Sequence, residues 1–349
     1  MHPFSTYQVG VNLGGWISQY GKFDPEHFRS FITEADIHQI ASWGMDHVRL
    51  PVDYPVLEDD DRPFTYKDDG FACLDRCLEW CDQHHLGLVL DLHKAPGFAF
   101  YTLASNSLFS DAHMQERFLA LWTALAERYR SIGNNLVFEL LNEIVLPDSA
   151  PWNALARRAV QAIRRVDPQR MIMIGGNHYN TASELANLDL YADPNVVYTF
   201  HCYAPMLFTH QKAHWVAAQR DFSQPVEYPG VCPWLENYLS DHPQHRPTLE
   251  GMVGVELNRD LLVNALQPAL DFMQRTGKQL YCGEFGAIEH APAASRRNWH
   301  RDFIGFLNEA GIGRACWSYK RMDFGLVDYD SSVMDAELVK IVSQRPAGA

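Results

Sequence analysis

Two glutamates, each at or just past the end of a short apolar run, are the residues best placed to do chemistry. Glu143 closes LVFELLNE and Glu284 closes QLYCGE. Neither belongs to a cluster with metal-ligand spacing. Cys73-x3-Cys77-x3-Cys81 lacks the C-x2-C step of a zinc site. His210-x3-His214 lacks the glutamate of H-E-x-x-H. A metal-free pair of carboxylates is the equipment for breaking a glycosidic bond. Retention of configuration needs the pair about 5–5.5 Å apart and inversion about 6.5–9.5 Å, a gap that chain spacing does not measure.

Other polar and aromatic residues recur at the ends of apolar runs: Asn12, Arg49, His93, Asn142, Asn177, His178, His201, Tyr203 and Trp317. Arg49 is a permanent cation and Tyr203 a hydroxyl donor, and both are available to keep Glu284 ionised. Asn142 offers an amide to a sugar hydroxyl, and Trp317 a flat face beneath a sugar ring. The competing reading is structural: an ion pair of the glutamates with Arg49, and core packing for His93, His201, Tyr203 and Trp317. A third reading is a metal-dependent hydrolase built on His93, His178 and His201, and a fourth an inactive sugar-binding protein.

The elements that must position these groups are strands buried on both faces. The runs are YQVGVN, HVRLPV, LGLVLDL, LVFELL, MIMIG, NVVYTF, QLYCGEF and RACWSY, each short and mostly apolar throughout. Amphipathic segments lie between most of them, among them EADIHQIASW after Thr33, FACLDRCLEWCDQHH and MQERFLALWTALAERYR. Eight strands alternating with helices in 349 residues predict an α/β protein, a (β/α)8 TIM barrel forming a single catalytic domain over residues 1–349. In such barrels the catalytic groups stand at the C-terminal ends of the strands, which is where the polar residues named above fall. Residues 204–257 are too long for a structureless loop and predict a helical insertion between strand six and its helix, set over the cleft. Within it, Trp215, Tyr228 and Trp234 either line outer sugar sites or form the insertion's own core.

Composition narrows the partners. Hydrophobic residues make up 47% and charged residues 21%, as for a globular protein with a large core. The net charge of −14 argues against nucleic acid and acidic membrane surfaces. The seven cysteines read as buried thiols. The acidic run Glu58-Asp59-Asp60-Asp61 lacks EF-hand spacing and reads as a solvated loop. MHPFSTYQVG is no signal peptide, so the chain is expected to be cytoplasmic, or secreted by a signal outside this sequence. We expect a monomer that needs no cofactor.

These motifs resemble glycoside hydrolase family 5, in the clan with acid/base on strand four and nucleophile on strand seven. The resemblance rests on Asn12 in GVNLGGW, Arg49 in HVRLP, His93 in DLHKAPG, Asn142-Glu143 in FELLNE, His201 and Tyr203 in FHCYAP, Glu284 in YCGEFG and Trp317 in ACWSYK. More narrowly, VNLGGWISQY, CLEWC, LGLVLDLHKAPG and THQKAHW are similar to compact clostridial endoglucanases of the CelC type. The resemblance implies Glu143 as acid/base, Glu284 as nucleophile, and endo-acting retaining hydrolysis of a β-1,4 or mixed β-1,3/1,4 glucan. The same machinery in that family also serves mannanases, exo-β-glucosidases, β-1,3-glucanases and transglycosylases.

Overall fold

A computed structural model describes residues 3–346. Eight parallel strands pair in chain order, and the eighth returns to the first. They are β1 Val9–Asn12, β2 His47–Asp53, β3 Gly87–Lys94, β4 Leu136–Glu139, β5 Met171–Gly175, β6 Val196–His201, β7 Leu280–Glu284 and β8 Gly313–Cys316. Every predicted run contributes its strand. The strand in LVFELL ends at Glu139, beyond which the N–H groups of Leu140 and Asn142 still bond the Met173 and Leu92 carbonyls of the neighbouring strands.

Alternation along the strands sorts side chains to two sides. Inward-facing Val89, Val137, Met171, Met173, Val197, Tyr281 and Ala315 form an apolar floor, plugged from below by Phe4 and Tyr7. The larger core lies between sheet and helices. Above the floor the barrel turns polar, with Arg49, Asp91 and Glu139 all fully buried.

Helices Glu34–Ser42, Asp68–Gln83, Ala112–Tyr129, Ala150–Val166, Arg259–Thr276 and Ala293–Ala310 surround the strands, and Ala336–Val342 closes the described chain. Thr33 caps the first of these helices: the Asp36 carboxylate accepts from both its backbone N–H and its hydroxyl. The fifth connection uses the 3-10 turn Ala182–Asn187 in place of a long helix, packed against Arg259–Thr276.

The segment after β6 is a set of short helices, Met206–Thr209, Leu235–Asp241 and Arg246–Leu249, with turns between them. Paired backbone bonds between Gly230 and Leu257 close its base. Glu58 departs from the solvated reading of its acidic run. It is buried, and accepts from the N–H of Phe64 and from Arg117, which also donates to Asp60. All seven cysteines are free and buried, and no helix among the described residues is long and apolar enough to cross a membrane.

Gly10 shows how tightly the floor is built. A Cβ there would lie 2.3 Å from Nε2 of His47, which holds the Tyr281 hydroxyl at 2.6 Å. Gly10→Ala is therefore expected to destabilise the fold by about 1–3 kcal/mol, read as a lower urea midpoint with an unchanged slope.

Candidate active site

The site is organised around one guanidinium. Arg49 points up the barrel axis from β2 and is fully buried. Its Nε and Nη2 donate to the two Glu139 oxygens at 2.7 and 3.1 Å. Its Nη1 donates to Glu284 at 2.8 Å and to Oδ1 of Asn12 at 2.9 Å. Nη2 also reaches Oδ1 of Asn142 at 2.8 Å and lies 3.0 Å from Asp91. One cation thus meets three carboxylates from β3, β4 and β7. Burial pushes Asp91 and Glu139 up to about 7, against the pull of Arg49. Part of the cluster therefore keeps protons at neutral pH.

Glu284 ends β7, just where the β6–β7 register shifts between Phe200 and His201. Its second oxygen accepts from the Tyr203 hydroxyl at 3.0 Å. Glu143, in the turn after β4, meets a different neighbour: Nδ1 of His201 lies 2.9 Å from it. The same nitrogen is 3.6 Å from Glu284. One oxygen of each glutamate and a ring nitrogen of His201 lie within 4.8 Å of one another, so this set has donors close enough for a metal ion as well as for a sugar.

The two glutamates differ in what opposes their burial. Glu143 is driven well above the usual carboxylate range by desolvation and then by the charge of Glu284. Glu284 is raised by burial too, but the charge of Arg49 and the Tyr203 hydroxyl pull it back. Of these two, only Glu284 touches the guanidinium, so it ionises before Glu143. His93 and His201 stay neutral, desolvation lowering His93 to about 4 and His201 well below its ordinary value. His93 is oriented by Asp91 at 2.7 Å and lies parallel to the Trp317 ring at 5.8 Å between centroids. Gly14 makes room for that indole, since a Cβ there would stand 2.9 Å from it.

Asn12, Arg49, His93, Asn142, Glu143, His201, Tyr203, Glu284 and Trp317 are thus brought to one place. Asn12 acts as a tie, its amide donating to the carbonyls of Gly283, Ala315 and Cys316. Asn177 lies outside the cluster: its side chain bonds both backbone groups of Leu146 and braces the turn that carries Glu143. His178 is exposed and faces Glu184 at 3.9 Å, so the histidine trio of the metal reading does not assemble. Trp234 packs edge-on against Phe222 and Tyr238, inside the insertion's own core, and Tyr228 is buried there against Phe208. Trp215 is half exposed, near His210 and Phe324.

Sequence reading missed Asp91 and Glu139. Both left a signal: a lone charge in the middle of an apolar strand run, two residues before His93 in one case and four before Glu143 in the other. A carboxylate on a strand buried on both faces needs a cation, and Arg49 was the candidate in hand.

A closed eight-stranded barrel with two opposed glutamates at the ends of β4 and β7 defines a glycosidase-type site. The family model described as Cellulase (glycosyl hydrolase family 5) matches residues 7–323, and the chain belongs to that family. It is 47% identical to endoglucanase C of Acetivibrio thermocellus over 340 residues, covering 97% of this chain and 99% of that one. It is 34% identical to cellodextrinase A of Ruminococcus flavefaciens, covering 97% and 93%. The crystal structure of endoglucanase Cel5A from Thermotoga maritima shares the fold at a TM-score of 0.79 and 24% identity, covering 98% of this chain and all of that one (100%).

Arg49→Met would leave buried carboxylates without their cation and is expected to cost about 3–5 kcal/mol at pH 8. Asp91 and Glu139 have raised values in the folded state, so their contribution is full below the unfolded carboxylate range and is lost as pH rises through about 7. The deficit of the variant against the parent should therefore shrink between pH 8 and pH 5, measured by urea unfolding at each pH. A deficit constant with pH would contradict the assignment.

Proposed function

We propose that this chain hydrolyses β-1,4-glucan, or mixed β-1,3/1,4-glucan, at internal bonds with retention of configuration. One observation carries the reading: Glu143 and Glu284 bring oxygens within 4.8 Å of each other. That gap suits one sugar carbon attacked directly by a carboxylate, and leaves no room for the water an inverting enzyme holds between its acids. The names of the relatives, endoglucanase and cellodextrinase, support the substrate class.

Glu284 is the nucleophile. Arg49 and Tyr203 each donate to one of its oxygens, which keeps it ionised and fixes the attacking atom. Glu143 is the acid. It holds its proton because it is buried beside a negative charge, and it gives that proton to the leaving glycosidic oxygen. Once the aglycone departs the charge on Glu284 is spent in an ester, and Glu143, now ionised, takes a proton from water. That water opens the ester from the face the aglycone left, so two inversions give net retention. Asn142 is held by Arg49 through its oxygen, and its amide nitrogen lies 3.5 Å from Nε2 of His93, which leaves one of its N–H groups for a sugar hydroxyl. The buried Trp317 ring supplies a flat apolar wall for the same sugar.

The insertion, residues 204–257, covers the aglycone side of the cleft in this reading, with the exposed face of Trp215 stacking on an outer sugar. Trp215→Ala is expected to raise KM for cello-oligosaccharides about tenfold while leaving a small aryl glycoside nearly unchanged. Equal losses on both substrates would remove Trp215 from the binding surface.

Glu143→Gln should lower kcat on soluble β-glucan by about 10²- to 10⁴-fold. It should spare the first step on an aryl cellobioside with an acidic phenol, where added azide restores turnover as a β-glycosyl azide. Glu284→Ala should lose turnover on both substrates and, with azide, give the α-azide. Proton NMR of the parent reaction should show the β-anomer first; an α-anomer first would overturn retention.

A further inference from the structure

We infer that Thr209, in the first turn of the insertion, is a positioning residue for the nucleophile and acts through Tyr203. The inference rests on the reading of Glu284 as nucleophile with Tyr203 as its donor. The β6–β7 ladder stops at the bond from the Cys202 N–H to the Glu284 carbonyl, 3.0 Å long. Tyr203 is the next residue and stands outside the sheet, yet its hydroxyl must stay 3.0 Å from Glu284. What replaces the ladder is Thr209. Its buried hydroxyl donates to the Tyr203 carbonyl at 2.5 Å. Its own carbonyl accepts from the N–H of Ile288 at 2.9 Å, four residues beyond Glu284. One residue therefore ties the strand that supplies the donor to the loop that follows the nucleophile.

The side chain of Tyr203 is confined from the same direction. His210 meets its ring edge-on at 5.1 Å and Phe324 does so at 5.7 Å, so the phenol lies between the insertion and the loop after β8. Nδ1 of His210 lies 3.0 Å from the Thr209 hydroxyl, which couples the neighbouring ring to the same anchor. A threonine that only satisfied a stray carbonyl would leave the chemistry at Glu284 untouched. A threonine that aims Tyr203 would change it. Glu284 is otherwise faced by Arg49 from β2, Asp91 and His93 from β3, Glu143 from the segment after β4 and His201 from β6, while the hydrogen bonds of the Thr209 hydroxyl go to Tyr203, Pro205 and His210.

The test uses the full chain and an aryl cellobioside. Thr209→Val keeps the shape and removes the hydroxyl. It should lower kcat about tenfold and move the acidic limb of the kcat/KM profile to higher pH, with KM little changed. Thr209→Ser should restore both. Tyr203→Phe should show the same shift, and adding Thr209→Val to it should change the limb no further. If the valine variant fails to fold, Thr209→Ala is judged by the same criteria. A parental kcat and pH profile in the valine or alanine variant, or a further shift in the double variant, would overturn the inference. Failure of the underlying reading looks different: Tyr203→Phe would then leave the limb in place, or Glu284→Ala would remain active.

Discussion

One buried guanidinium sets the terms for the rest of the barrel mouth. Arg49 has lost all contact with water, a loss of several kcal/mol that only close, well-aimed partners offset. Its partners come from β1, β3, β4 and β7 and the turn after β4, so strands distant in sequence are tied to one planar fork. The apolar floor beneath keeps water out from below. The arrangement carries more carboxylates than cations, and protons make up the difference. That surplus is what lets one glutamate stay charged beside another that stays neutral.

The asymmetry between the two glutamates follows from where the fork reaches. A buried acid next to a buried acid cannot lose both protons cheaply, so the pair shares roughly one charge. Arg49 and the Tyr203 hydroxyl place that charge on Glu284. His201 completes the division: its ring nitrogen touches Glu143 without bringing a positive charge, because burial holds the imidazole neutral. Were that ring charged it would draw the proton off Glu143 and remove the difference between the two glutamates.

The barrel was legible because strands buried on both faces must be apolar along their whole length, and few other structures read that way. The polar residues that broke the pattern at strand ends marked the site for the same reason. Asp91 escaped because it sits mid-strand, and Glu139 because it sits inside the apolar run LVFELL, where alternation hides an inward charge among outward apolar neighbours. His178 was read as site-facing from its place after β5, yet backbone at φ 47° and ψ 56° turns its ring out to solvent. No periodicity in GGNHYN announces that turn. Asn177 kept a role of another kind, bracing the chain just after Glu143, at Leu146, with both ends of its amide.

The insertion shows where sequence reading runs out most clearly. Its tryptophans are chemically alike, and pattern alone does not say which face a sugar and which fill a core. Packing decides: Trp234 is spent on Phe222 and Tyr238, while Trp215 keeps half its surface. The first turn of the insertion is different again, since Thr209 bonds to the residue that donates to Glu284. An added segment that begins by supporting the donor to Glu284 cannot vary freely at its root, whatever its outer surface does. The insertion is thereby divided, with its first turn bound to the barrel through Tyr203 and Ile288 and Trp215 left half exposed.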